Sequence, residues 1–280
     1  MRWRAQVNSR GDCGGQAMSD TISITRQDNG IAILRLTRPD KHNALSGEMI
    51  DALQGAAAVL GQDGAVRAVV LAGDGPSFCA GGDLGWMKAQ LASGGEQAER
   101  EARRLASMLG ALNALPKPLI GAVEGNAFGG GVGLMCVCDT VFASQDARFG
   151  LTETRLGLIP ATIGPYVIAR LGQGPARRVF MSARIFDATE AQSLGLVANC
   201  LPVAEVFPSA LREAQGYLGC APGAVADAKR LAQALAGVVT QEAIDLSVAA
   251  LVRRWGTAEA REGLAAFFDK RPPNWTKPNS

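Results

Sequence analysis

The chain has 280 residues, 48% of them apolar, with 28 basic residues against 26 acidic ones. That length can bury one large core, or two modest ones, without covalent or metal staples, and the near-balance of charge excludes a general nucleic-acid binder or a polybasic membrane surface. The six cysteines (Cys13, Cys79, Cys136, Cys138, Cys200 and Cys220) show no CxxC spacing, and with a single histidine, His42, there is no zinc ligand set and only one imidazole for a nucleophilic triad.

Residues Met1 to Ala17 are basic and polar, with no apolar run long enough for a signal peptide or a membrane span, so 1–17 reads as a disordered leader or upstream extension. A fresh start at Met18 is an alternative. From Ile22 to Leu36 two apolar, β-branched runs flank Asp28-Asn29-Gly30, a strong hairpin signal. Arg38-Pro39 ends the hairpin, and a helix capped by Ser46 follows to about Gly61, with Met49, Ile50 and Leu53 on its apolar face. Val66 to Leu71 is a buried strand that runs into a glycine-rich loop, Gly73 to Leu84. Glu96 to Leu115 is an amphipathic helix, broken by Pro116 and Pro118 before the strand Leu119 to Val123.

That strand opens onto Glu124-Gly125-Asn126-Ala127-Phe128-Gly129-Gly130-Gly131-Val132-Gly133, and a short apolar helix beginning at Gly130 or Gly131. Such a helix start points unpaired N–H groups and a positive dipole end at whatever lies in front of it. Strands at Thr140 to Ala143 and Ala147 to Gly150, a helix from Ala161 to Leu171 and a capping box at Asp187 to Glu190 complete the core. Beyond Pro202 the pattern is almost wholly helical, and its apolar faces exceed the needs of one small bundle, so a homo-oligomer is expected. The irregular alternation of strands and helices predicts an α/β fold built from a coil of small sheets with helices outside.

Neither GxSxG nor GxGxxG occurs, and no Gly-Lys pair exists for a phosphate loop, so nucleotide hydrolysis and nicotinamide redox chemistry are disfavoured. The two glycine-rich corners, Ser77 to Leu84 and Gly125 to Gly133, can instead offer one backbone amide each to a carbonyl oxygen turning into an enolate; one such donor is worth on the order of 3 kcal/mol. Glu153, on a turn after a short strand, is placed to move protons.

The segments RPDKHNAL, SFCAGGDL, GNAFGGGVG with Cys138-Asp139, FGLTETRLGLIP and AFFDKRPPNW, in that order from about Ile22 to Trp275, together resemble the crotonase superfamily of enoyl-CoA hydratases and isomerases. The resemblance implies a ββα spiral core over 18–205, a helical C-terminal trimerisation region over 206–280, trimers or hexamers, and an acyl-CoA substrate that carries its own coenzyme A, with no separate cofactor or metal; the cysteines, without CxxC spacing, read as reduced thiols of a cytoplasmic protein. It makes the Gly82 and Gly130 amides the oxyanion donors and Glu153 the residue that protonates the α-carbon. Lys41, Ala80, Asp83 and Leu84 fall where the family contacts adenine and pantetheine, and Phe267 and Lys270 match C-terminal positions reaching CoA, often from a neighbouring subunit. Trp86 and Met87 follow the oxyanion loop and are candidates for the acyl pocket.

One position departs from the pattern. Where two-glutamate hydratases hold a water-activating carboxylate, this chain has Gly133. Either Glu153 serves both proton transfers through one water, or another carboxylate reaches the site (Asp83, Glu124 and Asp139 are near in sequence), or the reaction needs only one base. DLGWMKAQ and FGLTETRLGLIPATIGPYV look most like the methylglutaconyl-CoA hydratase branch. The expected activity is hydration of a conjugated acyl-CoA, with one-glutamate isomerisation or a silent CoA-binding protein as alternatives.

Overall fold

The computed structural model describes residues 16–220, 222–235 and 239–273; Cys13, most of the expected leader, and Trp275 lie outside them. The first three strands, β1 (Gln16–Ser19), β2 (Ile22–Arg26) and β3 (Ile31–Leu36), form an antiparallel ribbon. The Asn29-Gly30 turn closes as expected: Gly30 takes φ +90°, which suits a residue without Cβ, and the Asn29 side chain accepts from the Ile31 N–H. β1 starts at Gln16, so the ordered ribbon begins inside the expected 1–17 leader.

After a 3-10 turn (Pro39–Lys41) and α1 (Gly47–Gln62), the chain repeats one unit three times: a long strand, a short strand in a second sheet, and a helix or helical turn. The first unit is β4 (Ala68–Gly73) and β5 (Ser77–Cys79), followed by α2 (Leu84–Ala92) and α3 (Gly95–Asn113). The second is β6 (Leu119–Val123), β7 (Asn126–Phe128) and α4 (Gly130–Val137). The third is β8 (Thr140–Ser144) and β9 (Arg148–Gly150), ending in a 3-10 turn (Glu153–Leu156). Then come α5 (Gly164–Leu171), α6 (Gln173–Phe180), β10 (Ile185–Asp187), α7 (Ala188–Ser193), β11 (Asn199–Leu201), α8 (Val203–Gly216), a 3-10 turn (Tyr217–Gly219), α9 (Pro222–Leu235), α10 (Gln241–Trp255) and α11 (Ala258–Phe268).

Long strands build a seven-stranded sheet, ordered β1-β2-β3-β4-β6-β8-β11 and parallel from β3 onward; short strands build a four-stranded sheet, ordered β10-β9-β7-β5. This is the ββα spiral. β4 reads AVVLAG because both its faces are covered: Val69 and Leu71 enter the main core with α1 and α3, while Ala68, Val70 and Ala72 face α8 through Val206, Ala210 and Ala214.

The helical part therefore does not begin at 206. That boundary falls inside α8, which covers the outer face of the spiral's own sheet. α10 folds back on α3, and α11 packs on α10 and on the Glu153–Leu156 turn, so that Val248, Leu251, Trp255, Ala260 and Leu264 share one apolar cluster with Ala98, Ala102, Ala106 and Leu158.

Several local expectations shift. The Ser46 hydroxyl accepts from the Met49 N–H as a cap should. Helix α5 starts at Gly164 rather than Ala161, because Pro165 sets the first helical turn and 161–163 form a separate turn. Asp187 caps the Glu190 N–H, but the Glu190 carboxylate turns to Arg184 (2.6 Å), so only half of the capping box closes.

Candidate active site

The three consecutive glycines each make room for a different neighbour. A Cβ on Gly129, which sits at φ +47°, would come within 2.9 Å of Glu153 Oε1; one on Gly130 would strike Leu45 Cδ1 at 2.7 Å; and one on Gly131 would overlap the Cys79 carbonyl. The triplet thus lets β7–α4 lie directly on the carboxylate, on the Leu45 loop and on the other glycine corner. Gly81, at φ +93°, completes that contact, its missing Cβ facing the Phe128 carbonyl at 3.0 Å and the Gly130 nitrogen at 3.6 Å.

Gly82, Gly130 and Glu153 line one cavity of about 90 Å³. Neither the Gly82 nor the Gly130 N–H has an acceptor among the described residues, as the first amide of α4 must lack one within its helix. Apart from Thr162 the rest of the lining is largely apolar, including Leu45, Trp86, Met87, Leu158, Ile163, Leu251 and Trp255, so Trp86 and Met87 stand on the wall of the cavity that holds both glycine corners. The Glu153 carboxyl is almost wholly buried; burial pushes it up from 4.5 to about 7, and Oε2 has no hydrogen-bond partner among the described residues. A carboxylate in that condition is a stronger base than an exposed one and is poised to exchange protons near neutrality.

The turn that carries Glu153 is braced from the far side. Leu158 N–H donates to the Glu153 carbonyl (3.0 Å), and α11 presses Gly263 onto the Leu156 backbone so closely that a Cβ there would overlap the Leu156 carbonyl. Gly263→Ala should displace either α11 or the Glu153 turn, lowering the melting temperature by several degrees and turnover at least roughly tenfold; differential scanning calorimetry and a turnover assay check this.

No other carboxylate shares the cavity among the described residues. Asp139 accepts from Leu119 N–H and Lys229 Nζ, both at 2.8 Å. These contacts lie in a separate cleft of about 830 Å³ that holds neither glycine corner. Glu124, raised by burial, does not reach the cavity either. Asp83 is consumed as the cap of α2, accepting from Gly85 and Trp86 N–H and from Arg38 (3.0 Å). Burial pushes its carboxyl up, but those donors together hold it below the usual carboxylate range.

The space at Gly133 is filled. A Cβ there would collide with Ile163 Cγ2 and lie 3.0 Å from Ile163 Cβ, with Leu109 behind it at 3.8 Å. The missing carboxylate is replaced by a core isoleucine, not by a pocket.

A model of the enoyl-CoA hydratase/isomerase family matches residues 26–278. The chain belongs to that family. It is 38% identical to Pseudomonas aeruginosa AtuE, with a TM-score of 0.74 covering 92% of this chain and 100% of that one. It is 36% identical to an enoyl-CoA hydratase from Shewanella pealeana, with a TM-score of 0.75 over 91% of this chain and 96% of that one. The mouse mitochondrial methylglutaconyl-CoA hydratase is 30% identical over 258 residues, 90% of this chain and 81% of the relative.

Within this crotonase fold, Lys41, Ala80 and Leu84 are exposed and are not among the residues that line the cavity. The end of α11, which bears exposed Phe267 and Lys270, comes to α2 of the same chain, where the Phe268 ring faces Lys88 Nζ at 6.0 Å. His42 does not line the cavity; its ring hydrogen-bonds Ser77 Oγ (3.0 Å) and its carbonyl accepts from Ala80 N–H (2.9 Å).

Sequence reasoning missed what RPDKHNAL does for the oxyanion loop. Buried Asn43, at φ +53°, donates to the Asp74 and Ser77 carbonyls and accepts from Arg38 N–H. Leu45 then exchanges backbone bonds with the loop itself, Leu45 N–H to Gly81 O (2.7 Å) and Asp83 N–H to Leu45 O (3.0 Å). An asparagine between two short runs, a residue tolerant of the left-handed region, was the available signal.

The buried thiols of Cys79, Cys136 and Cys138 are pushed up to about 12 by burial, so they are inert packing groups. Among the described residues no group of three His, Cys, Asp or Glu side chains is placed to hold a metal ion, and no helix is long and apolar enough to cross a membrane.

Proposed function

We propose that this protein hydrates a conjugated enoyl-CoA, with Glu153 as its sole proton-transfer group and the Gly82 and Gly130 amides as the oxyanion hole. The observation that carries this reading is a buried Glu153 carboxyl, its Oε2 without a hydrogen-bond partner among the described residues, lining the same cavity as two glycines whose backbone amides have no acceptor among them. The thioester carbonyl accepts from the two amides. The Glu153 carboxylate takes a proton from water as the water oxygen bonds to C3, the C2=C3 electrons move into the enolate, and the carboxylic acid just formed returns that proton to C2. One carboxyl serving both ends adds oxygen and hydrogen to the same face.

The CoA moiety is assigned to the exposed residues Lys41, Ala80, Leu84, Phe267 and Lys270, with Asp83 contributing backbone only because its side chain is already engaged. Coenzyme A arrives with the substrate, and no other cofactor is invoked. Exposed apolar side chains such as Ile168, Met181 and Leu231 support a homotrimer or homohexamer, and inert reduced thiols suit a cytoplasmic setting.

For the acyl group, the apolar lining offers no Lys or Arg among the described residues to a distal carboxylate, which favours a short apolar chain over a glutaconyl one. Turnover of a panel containing crotonyl-CoA and 3-methylglutaconyl-CoA tests this. The expected result is a kcat/KM for crotonyl-CoA at least roughly tenfold higher, one unpaired buried charge being worth at least that much; faster hydration of the diacid ester overturns the substrate assignment. The Gly133–Ile163 contact favours a second reading, isomerisation between 2- and 3-enoyl-CoA by the same carboxyl, and separate incubation with each isomer distinguishes them.

A further inference from the structure

Two residues that line the cavity each carry a buried oxygen with no hydrogen-bond partner among the described residues. One oxygen is Glu153 Oε2; the other is Oγ1 of Thr162, a residue only 4% exposed. A buried hydroxyl with no partner in an otherwise apolar wall is costly, and polar groups left this way in a native fold are satisfied by water or ligand. Thr162 is held rigidly: its turn is closed by Ala161 N–H to Ile159 O (2.8 Å) and Gly164 N–H to Ala161 O (3.0 Å). It also directly precedes Ile163, the side chain that occupies the room a carboxylate at 133 would need. The same turn that shuts out a second carboxylate therefore places a hydroxyl-bearing residue in the cavity wall.

We infer that Thr162 is the water-positioning residue of this site, its Oγ1 and Glu153 Oε2 holding between them the water that adds to C3. The hydroxyl orients that water and takes no net proton; Glu153 alone is protonated and deprotonated. A carboxylate would both orient and deprotonate, so the division of labour differs from a two-glutamate site. This rests on hydration being the reaction.

The test compares Thr162→Val, nearly isosteric but without the hydroxyl, with Thr162→Ser, which keeps it. Crotonyl-CoA hydration and calorimetric affinity for saturated butyryl-CoA, which cannot react, are measured for both and for the unaltered protein. Thr162→Val should lose roughly tenfold or more in kcat while butyryl-CoA affinity stays within about twofold. Thr162→Ser should stay within about threefold in both. A Thr162→Val enzyme within threefold of the unaltered kcat overturns the inference, and so does Thr162→Ser falling as far as Thr162→Val, since the methyl group would then be what matters. Should Thr162→Val fail to fold, a crystal structure of the unaltered protein with butyryl-CoA decides: a water bridging Thr162 Oγ1 and Glu153 supports the inference, and a hydroxyl turned away to a protein acceptor overturns it. Absence of hydration by the unaltered protein on every ester would refute the hydratase reading itself, a different outcome from either.

Discussion

Glu153→Gln is expected to lower kcat for hydration by between roughly 10²- and 10⁴-fold, the range supplied by a positioned acid–base group, while acyl-CoA still binds. The same substitution should change how stability depends on pH. Burial raises the Glu153 carboxyl from 4.5 to about 7 in the folded protein. Below 4.5 it is neutral in both folded and unfolded states; between 4.5 and about 7 only the folded state holds the proton, so stability falls as pH rises through that window. Above about 7 the loss is complete and amounts to roughly 3 kcal/mol. Urea unfolding of both proteins at pH 5 and pH 8 reads most of this: the unaltered protein should weaken between the two pH values more than the Gln variant by about 2.5 kcal/mol, part of the loss being already present at pH 5. Equal slopes would mean that Glu153 is not the buried carboxyl described here.

Restoring the second carboxylate should require two substitutions. Gly133→Glu alone drives Cβ into Ile163 and buries an unpaired charge against Leu109. Overpacking costs typically 1–3 kcal/mol and an uncompensated charge more, so this variant should be poorly folded. Gly133→Glu combined with Ile163→Gly removes the clash and opens the cavity beside the new carboxylate. The double variant should melt well above the single one and hydrate crotonyl-CoA faster than Ile163→Gly alone. Thermal melts with parallel turnover assays check both halves. If Gly133→Glu alone folds and melts like the unaltered protein, Ile163 does not fill that position as described.

Most of the fold was legible because its signals were local. Asn29-Gly30 fixes a turn, AVVLAG announces a strand covered on both faces, and Ser46 caps a helix at the expected residue. The shortest strands were harder. β10 and β11 are three residues each, too brief for any period, and exist because β9 and β8 pair with them. α2 was hidden because a glycine-rich loop runs straight into it, with Asp83 capping a helix of little amphipathic pattern.

At the site, Glu153, Gly82 and Gly130 were nameable from the motifs, and the structure brings them to one cavity. What fills the space of a missing side chain was not. Ile163 and Gly133 are thirty positions apart in the chain, and only the packing of α5 on α4 makes one the counterpart of the other. Thr162 and Gly263 share that character, since each acts through a neighbour reached only after the spiral closes.

The proposal that one carboxyl carries the whole reaction is tested most directly by the pH dependence of kcat/KM for crotonyl-CoA hydration, which reports ionisations of the free enzyme. A single limb is predicted, rising with pH and levelling above about 7, where Glu153 is ionised and can take the proton from water. A bell with a second ionisation on its alkaline side would require a separate acid and contradict a site with Glu153 as its only proton-transfer group.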